Sequence, residues 1–208
     1  MIKRFIVFFG LFLFVLSCKK NNEPDGPFLP VGTEAYTESE IAFVPYSAGD
    51  LVFKKSPDFT EERILNFKER LATEEFFAWD QTYFTFSYNP LMEIEFRLRY
   101  LQTENVSQKT LAIYMPYRDV TSAYRTNVFE MPIDTTGMST GFFSEIITYH
   151  DTITINGNDW YNVYEVNPLT STNESLDSPT NYSKVFFNST FGIIEMDQKD
   201  GSIWVLFP

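Results

Sequence analysis

Beyond about residue 35, polar and apolar positions alternate along most of this chain. The run from Met92 to Leu101 shows it best: Glu93, Glu95, Arg97 and Arg99 fall on one face and Ile94, Phe96, Leu98 and Tyr100 on the other. That period predicts a strand with one wet side. Strands are expected likewise at Gln81–Tyr88, Thr110–Met115, Phe142–Ile155, Trp160–Val166, Lys184–Phe187, Ile193–Met196 and Ser202–Phe207, which are rich in aromatic and β-branched residues. Asn156-Gly157 and Asp200-Gly201 stand where two-residue hairpin turns need φ > 0, so each should join its neighbours antiparallel. Strands do not alternate with long helices, as a parallel α/β sheet would require.

Phe59 to Phe77 breaks the pattern. Asp58 and Glu61 have capping-box spacing after Pro57, and Ile64, Phe67 and Leu71 share a helical face. Leu65, Phe67 and Leu71 also fit alternation, with Glu69 out of phase. The balance favours one helix near residues 59–75, set over an end of the sheet. Asn167 to Asn181, polar and holding Pro168 and Pro179, reads as a long surface loop, with cover for a binding mouth as its functional alternative.

The start of the chain has another logic. Lys3 and Arg4 precede an apolar run from Phe5 to Leu16, roughly 18 Å of helix and too short for a bilayer that needs about 20 residues. Val15-Leu16-Ser17-Cys18 has the lipobox pattern, in which the thiol receives a diacylglycerol and acyl chains such as palmitate. Residues 1–17 are thus expected to be a lipoprotein signal peptide and Cys18 the lipidated residue. Residues 18–35, with Pro24, Pro27 and Pro30, read as an extended tether of roughly 3 Å per residue, and 36–208 as a single β domain. The expected place is the outer membrane of a bacterial envelope, with the side it faces left open.

Cys18 is the one cysteine, so lipid there leaves no thiol for disulfides, thiolate zinc sites or a cysteine nucleophile. Net charge is −12, and loss of Lys3 and Arg4 makes the remainder more negative still. Such a body repels phosphate backbones, which argues against nucleic acid as a partner. Aromatic residues make up 18% of the chain, which argues against disorder and suits pleated, half-buried surfaces.

No internal repeat is present, but the end of the chain has a recognisable order. Lys184-Val185-Phe186-Phe187-Asn188, Phe191-Gly192-Ile193-Ile194 and Asp200-Gly201-Ser202-Ile203-Trp204 follow a hairpin made of Ile153 to Gly157 and Trp160 to Tyr164. Together with the lipobox this resembles the C-terminal part of many small bacterial lipoproteins, a group without an assigned activity. The resemblance implies a β-rich lipoprotein and no particular chemistry.

Candidate reaction centres are sparse. Gly137-Met138-Ser139-Thr140-Gly141 matches the nucleophile-elbow pattern, but His150 follows only a strand later, with Glu145 the sole acid between them, and a flexible loop explains it more simply. His150 is the only histidine, so a multi-histidine metal site is excluded. Asp197, Asp200 and the turn from Asn156 to Asp159 lack the calcium-loop spacing. Glu74, Glu75, Glu93, Glu95 and Glu145 offer carboxylates with no spacing that fixes a hydrolytic pair. Trp79, Trp160 and Trp204 suit a sugar-stacking platform or, more simply, the core. Asp134-Thr135-Thr136 and Asp151-Thr152-Ile153 resemble a short bacterial O-glycosylation pattern.

The sequence therefore predicts a mainly β protein, a single antiparallel β-barrel of lipocalin-like form or a strongly curved open sheet, bound to the membrane through lipid on Cys18. A non-enzymatic binding or accessory role is expected, with an apolar ligand suggested by the aromatic surplus. Alternatives are an interaction module of an envelope protein complex and an envelope hydrolase. No cofactor and no metal are expected.

Overall fold

The computed structural model describes residues 36–72, 78–87, 89–102, 107–119, 121–133, 146–169, 178 and 181–207, all within one compact unit, Glu34–Pro208. Cys18, the signal segment and the tether lie outside the described residues, as do Ser139, Glu145, Glu74 and Glu75. The eleven strands are β1 (Leu51–Ser56), β2 (Glu62–Ala72), β3 (Ala78–Phe86), β4 (Asn89–Gln102), β5 (Ser107–Arg118), β6 (Tyr124–Pro132), β7 (Ile147–Ile155), β8 (Asn158–Val166), β9 (Tyr182–Asn188), β10 (Gly192–Gln198) and β11 (Ile203–Leu206). They form one antiparallel sheet in the order β6-β5-β4-β3-β2-β1-β11-β10-β9-β8-β7, curled into a nearly closed barrel. First and last strands pair, Phe53 opposite Leu206, so the two ends of the domain are stitched together.

The edges, β6 and β7, do not pair with each other. Instead the Leu169 N–H donates to the Val128 carbonyl (2.7 Å), and Asn127 Nδ2 donates to Asn181 Oδ1 (2.5 Å) and the Tyr182 carbonyl (2.8 Å). The Leu169 bond covers one backbone group of an edge that would otherwise be open to another chain, and the Asn127 side chain ties β6 to the start of β9.

The helix expected near residues 59–75 is strand β2. The capping-box spacing at Asp58 and Glu61 opens no helix, and Lys55 and Glu61 instead meet across the β1–β2 turn at 3.1 Å. A bulge between Phe67 and Glu69 explains the misleading pattern. It slips the phase by one residue, so Arg63, Leu65 and Phe67 face inward, Arg70 then does too, and Leu71 ends 44% exposed on the outer wall. β1 and β6 also lay outside the predicted strands. Asn156 and Gly157, at φ 49° and 77°, make the expected two-residue turn. At Asp200-Gly201 only Gly201 has positive φ (84°), and the Gly201 N–H bonds back to the Gln198 carbonyl. That is a longer loop closed by a left-handed glycine, where a two-residue turn of this type would need both positions left-handed.

Phe84, Phe96, Ile94, Leu98, Ile113 and Phe129 are fully buried and fill the middle of the barrel. Burial of each such side chain contributes roughly 1.5–3 kcal/mol. The bore is filled further by the chain's own leading segment. Residues Tyr36 to Tyr46 enter at the end where β4 finishes and β5 begins, and carry the single helical turn α1 (Glu38–Ile41), the one helix among the described residues. Thr37 and Glu40 cap that turn reciprocally. Tyr46 packs edge-on against Phe84 and Phe96, with ring centroids 5.0 and 4.8 Å away, and Phe43 meets Tyr164 and Phe187. A second, smaller apolar cluster of Ile155, Val163, Phe186, Ile194 and Val205 sits apart from this core.

Candidate functional site

Two arginines of β2 mark the two ends of the bore. Arg70 is the anchor of the filled end. Its Nη1 donates to the carbonyls of Val44 (3.2 Å) and Tyr46 (2.8 Å), and its Nη2 to that of Ile41 (3.0 Å). A segment without sheet partners thereby has its backbone acceptors satisfied by one guanidinium. The Ile193 N–H donates to the Tyr46 hydroxyl (2.6 Å), and burial pushes that phenol's pKa up. Lys109 holds Glu40 at 2.8 Å; burial alone would raise the Glu40 carboxyl, but bonds from Lys109 and Thr37 keep it below its ordinary value.

At the other end lies a cavity of about 520 Å³, a size usual for small-molecule sites. Its lining includes Arg63, Met92, Tyr117, Arg118, Tyr182 and Gln198, drawn from five strands. Most are inward positions of the alternation, at the end of the barrel beyond the phenylalanine layer. Arg63 is held by aromatic neighbours: its guanidinium lies 3.9 Å over the Trp204 ring and donates to the Tyr182 hydroxyl at 2.8 Å. Trp204 is itself fixed through its indole N–H, 2.9 Å from Gln198 Oε1. Arg118 donates to the Tyr124 hydroxyl (2.7 Å), and Asn89 donates to the same oxygen (3.1 Å), which lowers that phenol's pKa.

Beside the mouth, the β5–β6 turn is locked by Asp119. Its carboxylate accepts from the Thr121 hydroxyl, from Arg125 and from the backbone N–H groups of Ala123 and Thr121, which hold its pKa at about 2. Asp119 is therefore engaged within its own turn.

His150 lies half-buried on β7, its Nε2 2.8 Å from Glu165 Oε2, and Lys184 meets the other oxygen of Glu165. Nearby on β10, burial and the neighbouring Asp197 push the Glu195 carboxyl up to about 7, and burial raises Asp197 as well. Among the described residues no three histidine, cysteine or acidic side chains gather as a metal would need. Glu93 is tied to Lys68 (2.7 Å) and Glu95 to Arg97 (2.6 Å). Trp160 belongs to the small outer cluster and meets Phe191 edge-on, whereas Trp204 belongs to the core beneath the mouth. Trp79 lies in β3.

Sequence reasoning missed the mouth. Arg63 fell within the segment read as a helix, and Arg118 beyond the expected end of β5. The available signal was the phase of Arg63 with Leu65 and Phe67, which puts a cation on the apolar face of an alternating run. Comparison with known protein families, with curated proteins and with solved structures gives no match for this chain.

Proposed function

We propose that this chain is a lipid-anchored protein of the cell envelope, held at an outer membrane through Cys18, which binds a small molecule and catalyses no reaction. The observation that carries the reading is the contrast within the bore. One end is filled by Tyr36 to Tyr46, while the other keeps a cavity of about 520 Å³ lined by fixed polar and aromatic groups. Convergent polar groups beside apolar and aromatic surface in one recess are the usual form of a ligand site. The non-catalytic part draws on two of the described acids, Glu165 and Asp119, which are each neutralised by their own neighbours. The aromatic surplus that suggested an apolar ligand is used largely as packing, so the ligand space is assigned to the mouth.

The anchor is tested by replacing Cys18 with Ala and following detergent partitioning and mobility; an unchanged membrane-bound product defeats it. The site is tested by Asn89→Trp, which puts an indole at the cavity rim and should block any ligand that enters there.

A second reading, a module of an envelope complex, draws on the exposed rings of Tyr161 and Phe191, the latter edge-on to Trp160. Crosslinking in cells followed by co-purification should then recover one stoichiometric partner, lost in Phe191→Ser.

A further inference from the structure

The charge pattern of the arginines narrows what the mouth takes. Arg97, Arg99 and Arg125 each sit on a carboxylate, of Glu95, Glu130 and Asp119. Arg70 is used on backbone carbonyls. Among the described residues, Arg63 and Arg118 have tyrosine hydroxyls as their hydrogen-bond acceptors and no carboxylate, and both line this cavity. In a chain of net charge −12, with acids outnumbering bases 28 to 16, two guanidiniums left without an acid in the same recess run against the overall balance.

A guanidinium carries five N–H donors in a planar fork that matches an oxyanion, and each of these two uses only part of that fork. Arg63 is also fixed in place by the Trp204 face, so little side-chain freedom is lost when an anion arrives. Beside the amides of Asn89 and Gln198, the remaining wall offers Met92, Pro116 and the rings of Tyr117 and Tyr182. Such a surface suits a planar body and gives an inorganic ion nothing to pack against.

We propose that the mouth binds a small organic anion, an oxyanion head set on a flat apolar body, with the head on Arg63 and Arg118 and the body against Met92, Tyr117 and Tyr182. This rests on the reading of the mouth as a ligand site and adds the chemical class.

The test uses the full chain in detergent, titrated calorimetrically against a matched detergent blank with 2-naphthoate, its neutral isostere 2-naphthamide, and inorganic phosphate. The expected result is binding of 2-naphthoate at least tenfold tighter than 2-naphthamide, with phosphate weaker than either. Arg63→Gln and Arg118→Gln should each lower 2-naphthoate affinity about tenfold and leave 2-naphthamide affinity unchanged. Arg118 is exposed, so its variant reports even where Arg63→Gln disturbs the packing on Trp204. Equal affinity for acid and amide, both abolished by Asn89→Trp, overturns the anionic class and preserves the mouth as a site. Phosphate binding as tightly as 2-naphthoate overturns the flat-body half. No binding of any probe, or binding indifferent to Asn89→Trp, overturns both this inference and the reading beneath it.

Discussion

Arg63 and Arg70 stand on one strand and both turn into the barrel, yet they meet opposite fates. Arg70 gives its donors to three carbonyls of the leading segment, and Arg63 lies against an indole at the edge of a cavity. Without the bulge between Phe67 and Glu69, residues seven apart would face opposite sides of the sheet. One inserted residue thus brings both cations inside. The same residue type serves as internal scaffold where the chain folds back on itself and as a recognition group where it does not. Between the two ends lies the layer of Phe84, Phe96 and Phe129, so changes at one end should add independently to changes at the other.

The largest expected effect is at the filled end. Arg70→Met removes the guanidinium donors from the carbonyls of Val44 and Tyr46 and leaves that of Ile41 only the Val44 N–H, and removal of a charged donor with several acceptors costs about 3 kcal/mol. Urea unfolding should show that loss. The preference for 2-naphthoate over 2-naphthamide at the mouth should survive in the folded fraction. An unchanged urea midpoint would break the comparison, because Arg70 would then be no anchor.

Gly192→Ala comes next. Gly192 has φ of 82°, and a Cβ there would lie 1.7 Å from the Tyr46 hydroxyl. Left-handed strain and overpacking together cost about 2–3 kcal/mol. Combining it with Tyr46→Ala should recover the steric share alone, a coupling that a calorimetric double-mutant cycle reads directly. Additive losses would mean that Tyr46 does not press on β10.

Much of this architecture was legible in the sequence, and the gaps have physical causes. β4 announced itself because its outer face is charged from Glu93 to Arg99 while its inner face is apolar. β2 did not, since the bulge and the outward Leu71 mimic a helical stripe. The leading segment was assigned no element from sequence, because its burial depends on Arg70, more than two dozen residues away. The mouth was hidden for a related reason: its residues come from strands far apart in the chain and share only an end of the barrel. Local periodicity reports which face a residue occupies, not how far along the barrel it sits.

Arg63→Gln sharpens the contrast with Arg70. Loss of the Tyr182 bond and of the stacking on Trp204 should cost about 1 kcal/mol, well under the Arg70 effect, because no carbonyl cluster is left unsatisfied. A cost equal to that of Arg70→Met would show that the mouth is as structural as the filled end.

The smallest effect is in pH dependence, and it separates the ends by chemistry. Glu40, at the filled end, has a folded pKa below its unfolded value near 4.5, so its pairing with Lys109 stabilises fully above that value and is lost as pH falls through the folded pKa. Glu40→Gln keeps the capping geometry and removes the charge. The pair is partly exposed, so the unfolding free energy from urea titration at pH 7 should fall by only a few tenths of a kcal/mol, a difference that shrinks as pH drops below 4.5. Glu195 acts in the opposite sense: its pKa is raised to about 7, so its contribution is present below 4.5 and lost as pH rises through 7. Pairwise comparison of each variant with the parent at the same pH removes that background. No carboxylate lines the mouth among the described residues, so the cost of Arg63→Gln should stay level over the same range. If it rises with pH instead, an acid faces Arg63, and the argument for an external anion loses its ground.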